Sequence, residues 1–278
     1  QNFLNVAQMT ELYNLFVSKE YPEHWTEEYT QRAHYSLGLF LAQYLCNGFN
    51  MADAGRLTYD NYYYKTEVID HLLKTKQRNS EENNTSVVIN TFTDLTGGFG
   101  IDCAFLSSRF RKATYVERQQ VLCEIARHNF PALGLNHISV CHEDSVHHLQ
   151  VMDPVDWIFI DPARRDGHGG KTIAINECEP NVIALEELLL EKASYILVKL
   201  SPMLDLTLAL HELKHVQAAH IVSVNNECKE FLLILGHETN LSSEEIPIHC
   251  VNLTALQKAQ DLLFTRQQEK KHLCPYTS

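Results

Sequence analysis

The sequence predicts an α/β fold, a mostly parallel sheet with crossover helices that follows a helical N-terminal region. From Ser86 onward, short β-branched runs alternate with helical patterns, the signature of strands joined by helices. Before that point apolar residues recur at helical spacing. A hydrophobic content of 45% with 21% charged residues over 278 positions is enough for one sizeable core plus an accessory region.

The elements follow in order. Residues 1–80 are expected as a helical subdomain, 86–240 as the sheet domain and 241–278 as a C-terminal extension. In the first part Leu12, Leu15 and Phe16, then Tyr35, Leu39, Ala42 and Leu45, then Val68, Ile69, Leu72 and Leu73 mark helix faces. Thr26 before Glu27 and Glu28 reads as an N-cap with acids in the first turn. The tyrosine-rich run from Tyr59 to Tyr64 is expected to pack between helices, with the lining of a cofactor or substrate mouth as the alternative, and the polar stretch 77–85 is a linker or surface loop. Seven strands are expected at 87–95, 113–117, 137–141, 157–161, 195–200, 221–224 and 231–235, with helices at 101–109, 119–133, 181–191 and 206–215. The end, 253–271, reads as a polar amphipathic helix.

A net charge of -12 makes the chain as a whole repel a phosphate backbone, so any nucleic-acid contact must be local. Basic residues cluster at Arg109, Arg111 and Lys112, which read as solvated surface, and at Arg164, Arg165 and Lys171. The eight cysteines are scattered, with no CxxC pair and no Cys/His spacing typical of zinc, so no metal is expected. They read as small reduced core residues of a cytoplasmic protein. No signal peptide and no membrane-length apolar run is visible, so no membrane partner is expected.

The first predicted strand runs into Asp94-Leu95-Thr96-Gly97-Gly98-Phe99-Gly100 and then a helix. Glycine permits the tight turn and lets a ligand approach the backbone. A dinucleotide turn needs a third glycine for the helix whose N-terminus receives pyrophosphate, and Cys103 stands there instead. An acid at the strand end, Asp94, repels pyrophosphate but suits the ammonium of an amino-acid ligand such as the methionine part of S-adenosylmethionine. Glu117, at the end of the next strand, can accept both ribose hydroxyls; dinucleotide-binding proteins share this acid, so alone it does not discriminate.

From Asp94 onward the chain resembles class I S-adenosylmethionine-dependent methyltransferases, in DLTGGFGID, VERQQVLCEIARHNFPALGL, EDS and DWIFIDPARR. The resemblance covers roughly residues 86–235. It is closest to a bacterial group that carries a THUMP-like RNA-binding domain after the catalytic domain, on the segments ILVKLSPMLDL and NNECKEFLLIL. That domain is expected to be absent here. The resemblance implies a Rossmann-like seven-stranded sheet, mostly parallel with an antiparallel last strand. It also implies that Thr96, Gly97, Gly98, Phe99 and Gly100 wrap the methionine and ribose, that Glu117 with Arg118 receives the ribose, and that Asp144 and Ser145 lie against the adenine. For Asp144 a helix N-cap is the competing reading.

The strand Trp157 to Asp161 ends in Asp161-Pro162-Ala163-Arg164. Ligands of open α/β sheets bind beyond the carboxyl ends of the strands, so Asp161 is expected to face the methyl donor and to form the catalytic corner with Pro162 and Arg164. Amino-methylating relatives carry an acid or Asn, two prolines and an aromatic here; Ala163 and Arg164 depart from that pattern. The arginine form resembles uracil C5 methyltransferases, which need a cysteine nucleophile after the next strand, but Val198 to Pro202 offers no thiol. Lys199 and Ser201 are polar groups near the pocket, Gly167 to Lys171 reads as a substrate loop with His168 a bystander, and Cys228 reads as a buried neutral thiol.

The first functional expectation is therefore a methyltransferase acting on RNA. The second is a small-molecule or protein methyltransferase with the N-terminal region as a lid, and the third a non-catalytic module that keeps the fold. An NAD-dependent oxidoreductase ranks last because of the missing glycine. The acceptor atom and the oligomeric state are not legible.

Overall fold

The computed structural model describes residues 26–27, 30, 64–72, 91–164, 174–237, 241–253 and 260–268. Most of the expected helical subdomain, the tyrosine run up to residue 63, the linker 77–85, the start of the first strand and the loop 167–171 lie outside the described residues. The chain divides into two compact units, Gln1–Ser145 and Val146–Ser278.

In the first unit Thr26 directly precedes helical Glu27, and its carbonyl accepts the Thr30 N–H at 3.0 Å. Residues 64–72 are helical and bury Val68 and Ile69. The polar residues of this helix are held by ion pairs: Lys65, only 1% exposed, meets Asp102 at 2.7 Å, and Asp70 meets Arg109 at 2.8 Å. Strands β1 (Thr91–Asp94), β2 (Lys112–Glu117) and β3 (Ile138–His142) pair in parallel, linked by helices α1 (Ile101–Ser107) and α2 (Gln120–Ala132).

Parallel strands flanked by helices need apolar residues on both faces. Accordingly Phe92, Ala113, Tyr115 and Val116 of the strands are buried, as are Cys103, Leu106, Ile125 and Phe130 of the helices. Each large apolar side chain so buried contributes roughly 1.5–3 kcal/mol. Helix α2 stops at Gly134, whose φ of 74° is the left-handed conformation a β-carbon disfavours. There the Gly134 and Leu135 amides close onto Pro131 and Phe130 carbonyls, satisfying the end of the helix.

The second unit contains β4 (Val155–Ile160), β7 (Ala193–Leu200), β8 (Val216–Val224), β9 (Glu227–Gly236), β10 (Pro247–Leu253) and β11 (Gln260–Thr265). A short antiparallel ribbon of β5 (Ala163–Arg164) and β6 (Cys178–Glu179) stands apart from them. Helix α3 (Ser145–Val151) begins at the boundary between the units. Helices α4 (Val182–Lys192) and α5 (Leu206–Glu212) start at Asn181 and Asp205, whose side chains accept the Ala184 and Leu208 amides. Strand β4 runs parallel to β7 and β8 parallel to β10, whereas β9 is antiparallel to β7 and β8, and β11 to β10. The β8–β9 hairpin turns at Asn225 and Asn226, with φ of 49° and 63°, the positive pair that a tight two-residue hairpin requires.

Nine sheet strands stand among the described residues, not the seven expected: β1-β2-β3 in the first unit and β11-β10-β8-β9-β7-β4, in that order, in the second. The two extra strands, β10 and β11, lie in the region read as a C-terminal extension, and β11 replaces part of the helix expected at 253–271. Residues 247–253 bury Ile248, Val251 and Leu253 beside β8, and Gln260–Thr265 gains its ladder from β10. The last of the seven expected strands, 231–235, lies within β9 and is antiparallel to both its neighbours, β7 and β8, as expected; the β10–β11 pair adds a further antiparallel ladder. Strand β9 starts earlier than its apolar run suggested because the hairpin pairs its polar end, Glu227 to Glu230, and β8 starts earlier because its residues from Val216 to His220 pair with the stretch from Leu235 back to Leu232. No helix among the described residues is long and apolar enough to cross a membrane.

Candidate functional site

The glycine turn lies at the carboxyl end of β1. Asp94 is fully buried there, and its Oδ1 accepts the Thr96 N–H at 2.9 Å, so its carboxylate shapes the turn from beneath. The Gly97 N–H donates to the Val116 carbonyl at 2.9 Å, and the Gly100 N–H closes onto Gly97 at 2.8 Å. Gly98 has φ +52° and Gly100 φ +81°, and Gly100 serves as the N-cap of α1.

Crowding explains two of the glycines. A β-carbon at Gly97 would stand 2.2 Å from Tyr115 Cε2, and one at Gly100 would stand 2.8 Å from Phe130 Cζ. Gly98 differs: a β-carbon there meets nothing closer than the Thr96 carbonyl at 3.8 Å, so this side of the turn is open. Phe99 beside it is 37% exposed.

Glu117, the last residue of β2, faces this turn. Its Oε2 accepts the Gly98 N–H at 3.0 Å and its Oε1 accepts the Gln119 N–H at 2.8 Å. Each carboxylate oxygen has a second lone pair, so both can still receive a ligand hydroxyl. The Glu117 carbonyl accepts the Glu143 N–H at 3.1 Å, which ties the end of β3 to that of β2. His142 Nε2 lies 3.1 Å from the Arg118 carbonyl. Asp144 is exposed directly before α3, the place of an N-cap, and Ser145 opens that helix. Thus Asp94, Thr96, Gly97, Gly98, Phe99, Gly100, Glu117 and Arg118 gather at the ends of β1 and β2, and Asp144 and Ser145 sit beyond β3.

Sequence reasoning missed two residues of this site. Tyr115 is buried under the turn, and its hydroxyl donates to the Gly98 carbonyl. It stands two residues before Glu117 on one strand, so period-2 alternation puts both on the same face. That alternation was the available signal. Cys123 is the other: its thiol donates to the Glu117 carbonyl at 3.2 Å, and burial pushes its pKa up to about 11.

The fit to an adenosyl amino-acid ligand can be judged on these groups. The open face at Gly98 admits close approach to the backbone, and the acceptor set at Glu117 suits a vicinal diol. No further glycine follows Gly100 to prepare a pyrophosphate site at α1, whose first turn carries Asp102.

In the second unit Asp161 follows the last residue of β4, Pro162 is buried and Ala163 opens the ribbon. The backbone of Arg164 pairs with Cys178; its side chain lies outside the described residues. Parallel pairing of Ile160 with Val198 brings the next residues of β4 and β7 side by side. Lys199 Nζ accordingly meets Asp161 Oδ2 at 2.6 Å, with the side chains 18% and 37% exposed. The ammonium lies 6.0 Å from the Phe159 ring centroid. Ser201 Oγ accepts the Met203 N–H at 3.3 Å, a turn contact. An ion pair this exposed adds at most about 1 kcal/mol to stability.

The sequence matches no protein-family model and no curated protein. Among solved structures, the chain is similar to a candidate methyltransferase from Porphyromonas gingivalis W83, with 28% identity over 100% of this chain and 70% of that one, at a TM-score of 0.66. Weaker likenesses include an rRNA methylase from Streptococcus thermophilus, 16% identical over 54% of this chain and 88% of that one, at a TM-score of 0.40. An O-methyltransferase from Bacillus cereus in complex with S-adenosylhomocysteine is 12% identical over 85% of this chain and 93% of that one, at 0.42. Scores below 0.5 carry no weight for function or for fold. The Porphyromonas likeness, at its higher score, gives the chain the Rossmann-like α/β fold of class I methyltransferases, with a mixed sheet that is antiparallel among its C-terminal strands.

Proposed function

We propose that the chain is an S-adenosylmethionine-dependent methyltransferase that acts on RNA. The observation that carries the cofactor part is the Glu117 carboxylate, anchored on the Gly98 amide beside the open face of the glycine turn. When bound, S-adenosylmethionine supplies an activated methyl group on a sulfonium. Glu117 receives the ribose hydroxyls, Thr96 to Gly100 present backbone groups to the methionine part, and Asp144 and Ser145 contact the adenine. Asp94 acts through the Thr96 amide that it holds.

In the acceptor corner, the Lys199 ammonium fixes the orientation of the Asp161 carboxylate, which takes a hydrogen bond from the group to be methylated. Pro162 stiffens the backbone behind it, and Arg164 meets the acceptor. Transfer from a sulfonium needs orientation and exclusion of water more than acid-base help, so no catalytic dyad is required. The RNA part rests on the resemblance of residues 196–206 and 225–235 to the bacterial group with the THUMP-like domain, and on the local cations Arg164 and Arg165. The scattered reduced cysteines, Cys103 and Cys123 buried among them, fit a cytoplasmic location.

The net charge of -12 favours a second reading, a methyltransferase for a small molecule or a protein. Calorimetric titration with S-adenosylmethionine and with NAD, followed by labelled methyl transfer to total RNA, separates the readings. We expect binding of the first ligand only, and label in RNA. Label in a metabolite or protein fraction alone selects the second reading, and binding of NAD alone overturns both.

A further inference from the structure

We infer that Tyr115 is a positioning residue of the cofactor turn, gripping the Gly98 carbonyl while Glu117 grips the Gly98 amide, so that one residue is held at both its polar ends. The inference rests on the cofactor reading above.

The geometry has three parts. Tyr115 and Glu117 project from the same face of β2, one to the carbonyl of Gly98 and the other, at 3.0 Å, to its N–H. Gly98 sits at φ +52° with open space where a β-carbon would be, so no side chain of its own steadies it. The Tyr115 ring, in turn, is pinned. It is fully buried, packs edge-on against Phe130 at 5.5 Å and 76°, and occupies the space that a β-carbon at Gly97 would need.

The hydroxyl also keeps its proton. Burial, with the Glu117 and Asp94 carboxylates nearby, pushes its ionisation far above the usual range, so it remains a donor at any working pH. A phenylalanine would fill the same space without the donor, and the carbonyl of Gly98 would turn to solvent. Because neighbouring peptide planes move together, the grip also fixes how the turn presents Phe99.

The test is Tyr115→Phe, which preserves the packing, read in two ways. Calorimetry with S-adenosylhomocysteine is expected to show affinity reduced about fivefold, the scale of one hydrogen bond to an ordered carbonyl. Hydrogen exchange without ligand is expected to rise in residues 96–100 and to stay unchanged in α2, a pattern that general loss of packing would not produce. Tyr115→Leu, which also removes the ring, is expected to weaken binding further and to lower the unfolding temperature. If wild type binds and Tyr115→Phe matches it in affinity and exchange, the grip is overturned and the cofactor reading stands. If wild type fails to bind S-adenosylhomocysteine, the cofactor reading falls and the role of Tyr115 falls with it.

Discussion

Gly97→Ala tests the packing beneath the turn. The new methyl would lie 2.2, 2.5 and 2.6 Å from three carbons of the Tyr115 ring, where ordinary contact begins near 3.4 Å. The ring cannot swing away, because Phe130 flanks it and its hydroxyl is tied to the Gly98 carbonyl. The backbone cannot retreat without losing the 2.9 Å bond from the Gly97 amide to Val116. Overpacking of this kind costs about 1–3 kcal/mol, and the lost hydrogen bond adds about 1 kcal/mol. The variant should therefore lose about 2–4 kcal/mol, folded at room temperature but melting roughly 5–12 °C lower. In a Tyr115→Ala background the methyl has room, so the same substitution should be nearly neutral, with a coupling of about 2 kcal/mol in a double-mutant cycle followed by urea denaturation. Equal cost in both backgrounds would show that the ring is not what forbids a side chain at position 97.

Asp161→Ala is expected to bind S-adenosylhomocysteine like wild type while losing methyl transfer, and full turnover would remove Asp161 from the acceptor corner. Glu186 is buried on α4, and its Oε1 accepts the Lys214 and His215 amides at 2.8 and 2.9 Å and lies 3.1 Å from His215 Nδ1. Glu186→Ala should cost about 2–3 kcal/mol in urea denaturation, and Glu186→Gln, which keeps an acceptor oxygen, about 1 kcal/mol. A larger loss in the glutamine variant would contradict this account. Cys123, with its pKa raised by burial from 9.0 to about 11, should resist iodoacetamide in the native protein at pH 8. Since folding raises that pKa, its contribution to stability is intact below pH 9 and is lost as pH climbs through about 11. Fast labelling without unfolding, at a rate matching a free thiol, would show that the burial is not maintained in solution.

The turn and the acid after it were legible because each is local. Glycine spacing marks a tight bend, and Glu117 ends a short run of apolar and β-branched residues. What lies beneath the turn was not, since Tyr115 looks like one more aromatic in a strand until Gly97 is placed over its ring. The Asp161–Lys199 pair was half legible: both residues stood out, but their meeting depends on the parallel register of β4 with β7. The C-terminal region misled for a physical reason. Residues 260–265, with two leucines and a phenylalanine among polar neighbours, carry little intrinsic preference, and the ladder with β10 decides their conformation. The asparagine pair at 225–226 did carry a signal, two residues tolerant of positive φ between apolar runs, for a hairpin that extends both strands.

The lysine and aspartate that join residues 64–72 to α1 and to Arg109 just beyond it bear on how the protein can be cut. An expression boundary at residue 86, the expected start of the sheet domain, would take Lys65 from Asp102 and Asp70 from Arg109, and would remove the buried Val68 and Ile69. Of the two charges left behind, Asp102 sits on the helix that the glycine turn leads into and Arg109 just past its end. A shortened version would then carry its defect into the neighbourhood of the ligand, and weak binding by such a fragment would say little about the intact molecule.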